Sequence, residues 1–141
     1  MTKELAARTL LIVDDQPAIR SQFKQILSME FPYLRIDAAP DGAAAVETFS
    51  TGRHDILILD LHMPVMDGLA AYYEIEMLCE SRGWDVPATI FCTGYVPPDK
   101  VRDLVDKYPT HRLLLKPVAT ATLLQTVRDC GTARSPTPTK D

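Results

Sequence analysis

Residues 56–68 read Ile56-Leu57-Ile58-Leu59-Asp60-Leu61-His62-Met63-Pro64-Val65-Met66-Asp67-Gly68. Four consecutive apolar residues run into one carboxylate. A continuous apolar run of this length suits a strand covered on both faces, as in a parallel sheet. Met63-Pro64 cannot continue it, and Asp67-Gly68 supplies a turn and a helix start. Asp60 then stands at the carboxyl end of the strand, the edge where open α/β sheets bind ligands. An unpaired acid beside a core is costly, so its position asks for a chemical explanation.

The pattern recurs outward from this stretch. Leu10-Leu11-Ile12-Val13 runs into Asp14-Asp15, Ala88-Thr89-Ile90-Phe91-Cys92 into Thr93-Gly94, and Leu113-Leu114-Leu115 into Lys116-Pro117. Between these runs lie helical patterns. Ile19, Phe23, Ile26 and Leu27 predict an amphipathic helix from Pro17 to about Met29. Asp41 is a candidate N-cap for a helix carrying Ala45, Val46 and Phe49, with Gly52 as its left-handed C-cap. Residues 68–81 form a third helix closed by Arg82-Gly83. Val101, Leu104, Val105 and Tyr108 share one face of a fourth, and a fifth opens at Thr120 or Thr122 and ends at Gly131.

With short strands at 9–13, 34–38, 55–60, 88–92 and 112–115, the count is five strands alternating with five helices. That alternation predicts a doubly wound α/β fold with a mostly parallel sheet. Residues 1–8 read as a lead-in to a single domain over 1–131. Residues 132–141, rich in Thr and Pro, read as a disordered tail or the start of a linker to an output domain beyond residue 141.

Composition sets bounds on function. The chain has 141 residues and a formal net charge of -4, so it carries no basic surplus for a nucleic acid. Three cysteines, Cys79, Cys92 and Cys130, are too scattered for a disulfide framework or a zinc site and read as core thiols. No stretch reaches the length of a membrane span and no signal-peptide pattern precedes the first strand, so a cytoplasmic location is expected. His54, His62 and His111 are too dispersed for a metal cluster, Asp67 reads as a cap, and Tyr72 and Tyr73 as packing and surface.

If the strands are parallel neighbours, Asp14, Asp15, Asp60, Thr93 and Lys116 converge on one rim. Carboxylate oxygens suit Mg²⁺, a carboxylate can attack phosphorus, and a Lys, a hydroxyl and a cation can each stabilise a transferring phosphoryl oxygen. On Asp14-Asp15, Asp60, Met63-Pro64-Val65-Met66-Asp67-Gly68, Thr93-Gly94 and Lys116-Pro117, the chain resembles the receiver domain of two-component response regulators over roughly residues 8–131. Each motif alone is common; the five in this order at these strand ends are specific.

The resemblance implies a flavodoxin-like sheet of order 2-1-3-4-5 and a phosphoacceptor role for Asp60, the donor being a sensor histidine kinase or phosphotransfer protein. It implies Mg²⁺ held by Asp15 and Asp60, by Asp14 through water and by the backbone carbonyl of His62. Lys116 and Thr93 would contact the phosphoryl group and drive a switch of the face formed by helix four, strand five and helix five. The Lys116-Pro117 bond would be cis, and a homodimer through the helix-four to helix-five face is allowed. His62 and Tyr95 occupy positions that tune phosphoryl lifetime in this family.

One position departs from the family pattern: Leu113 stands where the switch aromatic usually is. It keeps alive a degenerate receiver used as a constitutive docking module. A small phosphatase of the haloacid dehalogenase type is disfavoured, because it wants Asp-x-Asp after the first strand and Asp60 has His62 at that offset. The expected protein is therefore a switch that catalyses only its own phosphorylation and dephosphorylation, not an enzyme with a separate substrate.

Overall fold

The computed structural model describes residues 5–132. The elements run β1 (Thr9–Val13), α1 (Pro17–Glu30), β2 (Arg35–Ala39), α2 (Gly42–Gly52), β3 (Ile56–Asp60), α3 (Gly68–Arg82), β4 (Ala88–Thr93), α4 (Asp99–Lys107), β5 (Arg112–Leu115) and α5 (Thr120–Gly131). The strands form one parallel sheet in the order β2-β1-β3-β4-β5. The tail expected at residues 132–141 lies, apart from Thr132, outside the described residues.

Alternation along each strand divides the core in two. Leu10, Ile12, Ile56, Ile58 and Ile90 face Phe23 and Leu27 of α1 and Leu123 and Val127 of α5. Leu11, Val13, Leu57, Leu59 and Phe91 face Phe49 of α2, Tyr72 and Ile75 of α3 and Val101 of α4. Both faces of β1, β3 and β4 are thus covered, which is why their sequences read as unbroken apolar runs. Among the described residues no helix is long and apolar enough to cross a membrane.

The local signals held at most element ends. Asp41 caps α2 by accepting from the Ala44 N–H at 2.8 Å, and Asp67 caps α3 by accepting from the Ala70 N–H at 2.8 Å. Gly83 closes α3 at φ 69°. All three cysteines are buried and free.

Elsewhere packing overrode the local pattern. The left-handed residue after α2 is Arg53, at φ 47°, rather than Gly52. Gly52 ends the helix for a steric reason: a Cβ there would lie 2.4 Å from the His54 ring. Tyr108 lies just past α4 as its C-cap, β4 continues one residue further to include Thr93, and α5 starts at Thr120 after an uncapped Ala119. The segment before β1 is not a mere lead-in. Leu5 is buried, its N–H donates to the Tyr33 hydroxyl at 2.8 Å, and the Ala6 and Ala7 N–H groups both donate to the Gly131 carbonyl.

Candidate functional site

The chain winds from β1 to β2 in one direction and to β3 on the other side, so the topological switch point lies between β1 and β3, and the crevice there lies outside the carboxyl ends of the strands. Asp14 and Asp15 leave β1 there, and Asp60 ends β3. The Val13↔Leu59 and Asp60↔Cys92 register sets the two strand ends level with each other and with β4. The hydroxyl and ammonium arrive from the same side, with Thr93 paired to Leu115 and the Lys116 N–H bonded to the Thr93 carbonyl at 2.8 Å.

Carboxylate oxygens of Asp14, Asp15 and Asp60 all lie within 4.8 Å of one another. Asp14 and Asp60 are 3 % exposed, whereas Asp15 is open to solvent. Lys116 Nζ lies 2.9 Å from Asp14 Oδ2 and 3.3 Å from Asp60 Oδ1, so one cation bridges the two buried acids. The remaining donors are backbone groups. The His62 N–H reaches Asp60 Oδ1 at 3.2 Å, and the Gln16 N–H reaches Asp14 Oδ1 at 2.9 Å.

The electrostatics follow from this crowding. Burial, then the negative charge of Asp14, holds the Asp60 carboxyl above the ordinary carboxylate range; the His62 N–H and Lys116 pull it back only in part. Burial works against the Lys116 ammonium, but hydrogen bonds and charge from the two acids outweigh it and hold its pKa up. Three hard oxygens with one ammonium beside them form a donor set suited to a small divalent cation of the Mg²⁺ type. Cys92 sits next to Asp60, but its thiol is buried and pushed up to about 12, so it offers no nucleophile.

Gly68 belongs to the site by its smallness. Its N–H bonds the Leu61 carbonyl at 3.2 Å, and a Cβ on it would lie 2.2 Å from the Asp60 carbonyl oxygen. The loop between Asp60 and Gly68 is tight enough that the Met66 N–H bonds the Pro64 carbonyl at 2.8 Å, leaving Val65 at φ 70° and fully exposed.

The sequence-predicted residues converge, with two refinements. Thr93 reaches the rim, but its buried hydroxyl is engaged with its own loop: it accepts from the Tyr95 N–H at 3.0 Å and donates to the Tyr95 carbonyl at 3.4 Å. Leu113 is half-buried against the core on the α4 side of the sheet, where Phe91, Tyr72, Tyr108 and His111 supply the aromatic rings instead. His62 and Tyr95 meet edge to face, ring centroids 4.5 Å apart, at the mouth of the site. The Lys116-Pro117 bond is cis.

Arg20 was not anticipated from the sequence. Its Nη1 donates to the Asp14 carbonyl at 2.7 Å. An arginine in the second turn of an amphipathic helix reads as a solvated residue, and nothing local marks it otherwise.

The family model for the response regulator receiver domain matches residues 10–128. The chain belongs to the response regulator receiver domain family. The receiver is 30% identical over 128 residues to the chemotaxis protein CheY of Halobacterium salinarum, covering 90% of this chain and 99% of that protein. It is 33% identical over 122 residues to the response regulator MprA of Mycobacterium ulcerans, covering 84% of this chain but 48% of that protein. The solved chemotaxis response regulator CheY4 of Vibrio cholerae superposes with a TM-score of 0.72 at 26% identity, over 87% of this receiver and 98% of that chain. The receiver thus spans nearly all of one relative and about half of another.

Proposed function

We propose that this receiver takes a phosphoryl group on Asp60 from the phosphohistidine of a sensor histidine kinase or phosphotransfer protein. The observation that carries the reading is the placement of Asp60. It is a buried carboxylate at the β3 end, bridged through Lys116 to a second buried acid, with a third acid within reach. In the transfer, an Asp60 carboxylate oxygen forms a bond to phosphorus. The bond from phosphorus to the donor imidazole nitrogen breaks, and its electron pair stays on that nitrogen. Asp15 and Asp60, Asp14 through water, and the His62 carbonyl would hold Mg²⁺, which supplies charge neutralisation for the phosphoryl oxygens. Lys116 is already beside Asp60 and pairs with the phosphoryl group. Thr93 exchanges its two bonds to the Tyr95 backbone for one to phosphoryl oxygen, which draws on the loop leading into α4.

That exchange is the input to the α4–β5–α5 face, which controls an output domain or a partner protein and allows a homodimer. With Leu113 in place of an aromatic, the loop carrying Tyr95 is the moving part. The paired rings of His62 and Tyr95 restrict water at the acyl phosphate, so the adduct outlives a free acyl phosphate. The receiver domain spans residues 1–131 of a cytoplasmic protein. It turns over no separate substrate.

The test is intact-mass spectrometry after incubation with acetyl phosphate and Mg²⁺. One added phosphoryl group, absent in Asp60→Asn and in a metal-free control, is expected. A folded protein that gains no adduct, from acetyl phosphate or from a histidine kinase, refutes the switch. Leu113 keeps the constitutive docking module alive as the second reading, and that result would select it.

A further inference from the structure

Asp14 is held at four points, whereas among the described residues the Asp15 carboxylate is held at none. The Asp14 N–H donates to the Ala39 carbonyl at 3.3 Å. One carboxylate oxygen accepts from the Gln16 N–H at 2.9 Å, the other from Lys116 at 2.9 Å, and the carbonyl accepts from Arg20 Nη1 at 2.7 Å. Among the described residues, the exposed Asp15 carboxylate accepts no hydrogen bond, although it lies within 4.8 Å of its two fellow acids. Its position therefore depends on its backbone.

The Asp14 carbonyl and the Asp15 N–H belong to one planar peptide. Whatever fixes the direction of that carbonyl fixes where the Asp15 N and Cα lie, and so biases where its carboxylate reaches. Arg20 is well placed to do so. Its own N–H bonds the Gln16 carbonyl at 3.2 Å, and it rides on α1, which is anchored in the core through Phe23 and Leu27. The helix has no side-chain N-cap bond and no acid in its first turn, so no neighbouring side chain on that helix end competes for the guanidinium.

We propose that Arg20 is a positioning residue of the acidic site, its guanidinium orienting the Asp14–Asp15 peptide and with it the Asp15 carboxylate for a divalent cation. The inference rests on the metal-binding part of the reading above. It opposes what charge alone would do. Removing a cation from the neighbourhood of a Mg²⁺ site should tighten Mg²⁺ binding, whereas loss of an orienting contact around a metal ligand weakens it, typically by about ten- to a hundredfold.

The experiment is calorimetric titration of the full unphosphorylated chain with Mg²⁺ alone. Arg20→Met, which keeps the stem and loses every donor, is expected to weaken Mg²⁺ about tenfold. Arg20→Lys, which keeps a charged donor, recovers most of that loss. In an Asp15→Asn background, adding Arg20→Met costs nothing further, because the group being positioned is gone. Unchanged or tighter binding by Arg20→Met overturns the proposal, and so does an equal loss in the Asp15→Asn background. Should Arg20→Met fail to fold by circular dichroism, Arg20→Gln is judged by the same outcomes. If the wild-type chain shows no saturable Mg²⁺ binding that Asp15→Asn weakens, the metal reading itself fails, which is a different result from a wild-type site indifferent to Arg20.

Discussion

Val65 carries a strain that a single substitution should release. It sits at φ 70° in the tight turn closed by the Met66 N–H and the Pro64 carbonyl, and its side chain is fully exposed. A left-handed conformation costs an L-residue about 1–2 kcal/mol, and a β-branched side chain sits at the upper end. No burial offsets that cost here. Asn tolerates a positive φ better than a β-branched residue but keeps its Cβ, so Val65→Asn should stabilise the fold by about 1 kcal/mol. Gly relieves the same strain but gains about 0.5–1 kcal/mol of freedom in the unfolded chain, so Val65→Gly should net about half as much. Unfolding entropy of about 2.1 cal/mol/K per residue makes 1 kcal/mol worth about 4 °C in a domain of this size. Thermal unfolding by circular dichroism should therefore rank Asn above Gly above wild type, with Tm raised by about 4 °C for Asn. A Val65→Asn protein no more stable than wild type would refute the strain argument, because nothing else about this exposed side chain could hide the gain.

Other perturbations have equally definite signs. The Asp60 carboxyl titrates above its unfolded value, so the native state binds the extra proton and ionisation destabilises it. Asp60→Asn should be more stable than wild type at pH 7, with the advantage fading as pH falls through the raised native value and gone below the ordinary Asp value near 3.8, checked by denaturant titration across that range. His111 is buried, with its pKa pushed down to about 3, so the unfolded chain binds the proton first. Stability should be intact above about pH 6.5 and fall as the pH drops from there, with a slope approaching 1.4 kcal/mol per pH unit, roughly, that His111→Gln flattens. Tyr72→Phe leaves the His111 Nε2, now 2.8 Å from the Tyr72 hydroxyl, without its partner and should cost about 1–3 kcal/mol in urea unfolding. Gly68→Ala drives a Cβ into the Asp60 carbonyl and should cost about 3 kcal/mol or more, and the phosphoryl adduct should be lost with it.

The fold was legible because its strands are covered on both faces. Unbroken apolar runs such as Ile56-Leu57-Ile58-Leu59 have few explanations other than a central parallel strand, and each ends abruptly in a polar residue that marks the rim. The family motifs then placed Asp14, Asp15, Asp60, Thr93 and Lys116 together, and the parallel register brings those strand ends level. Caps at Asp41 and Asp67 were equally readable, since an N-cap satisfies donors within three residues of itself.

What the sequence could not show depends on contacts between distant segments. The choice of Arg53 over Gly52 as the left-handed residue turns on the His54 ring, which is fixed by Asp37 on β2 at 2.7 Å. Leu5 packs against α5 where Gly131 leaves room, since a Cβ there would lie 3.1 Å from Leu5 Cδ2, and the Ala6 and Ala7 N–H groups bond the Gly131 carbonyl. Arg20 looked like a surface residue because its partner is a backbone carbonyl, and carbonyl directions have no signature in the side-chain pattern. Residue identity along the chain thus determined which elements form and which chemistry gathers at their ends. The tertiary structure decided orientation: which hydroxyl faces its own loop, which ammonium bridges two acids, and which guanidinium holds the peptide between Asp14 and Asp15.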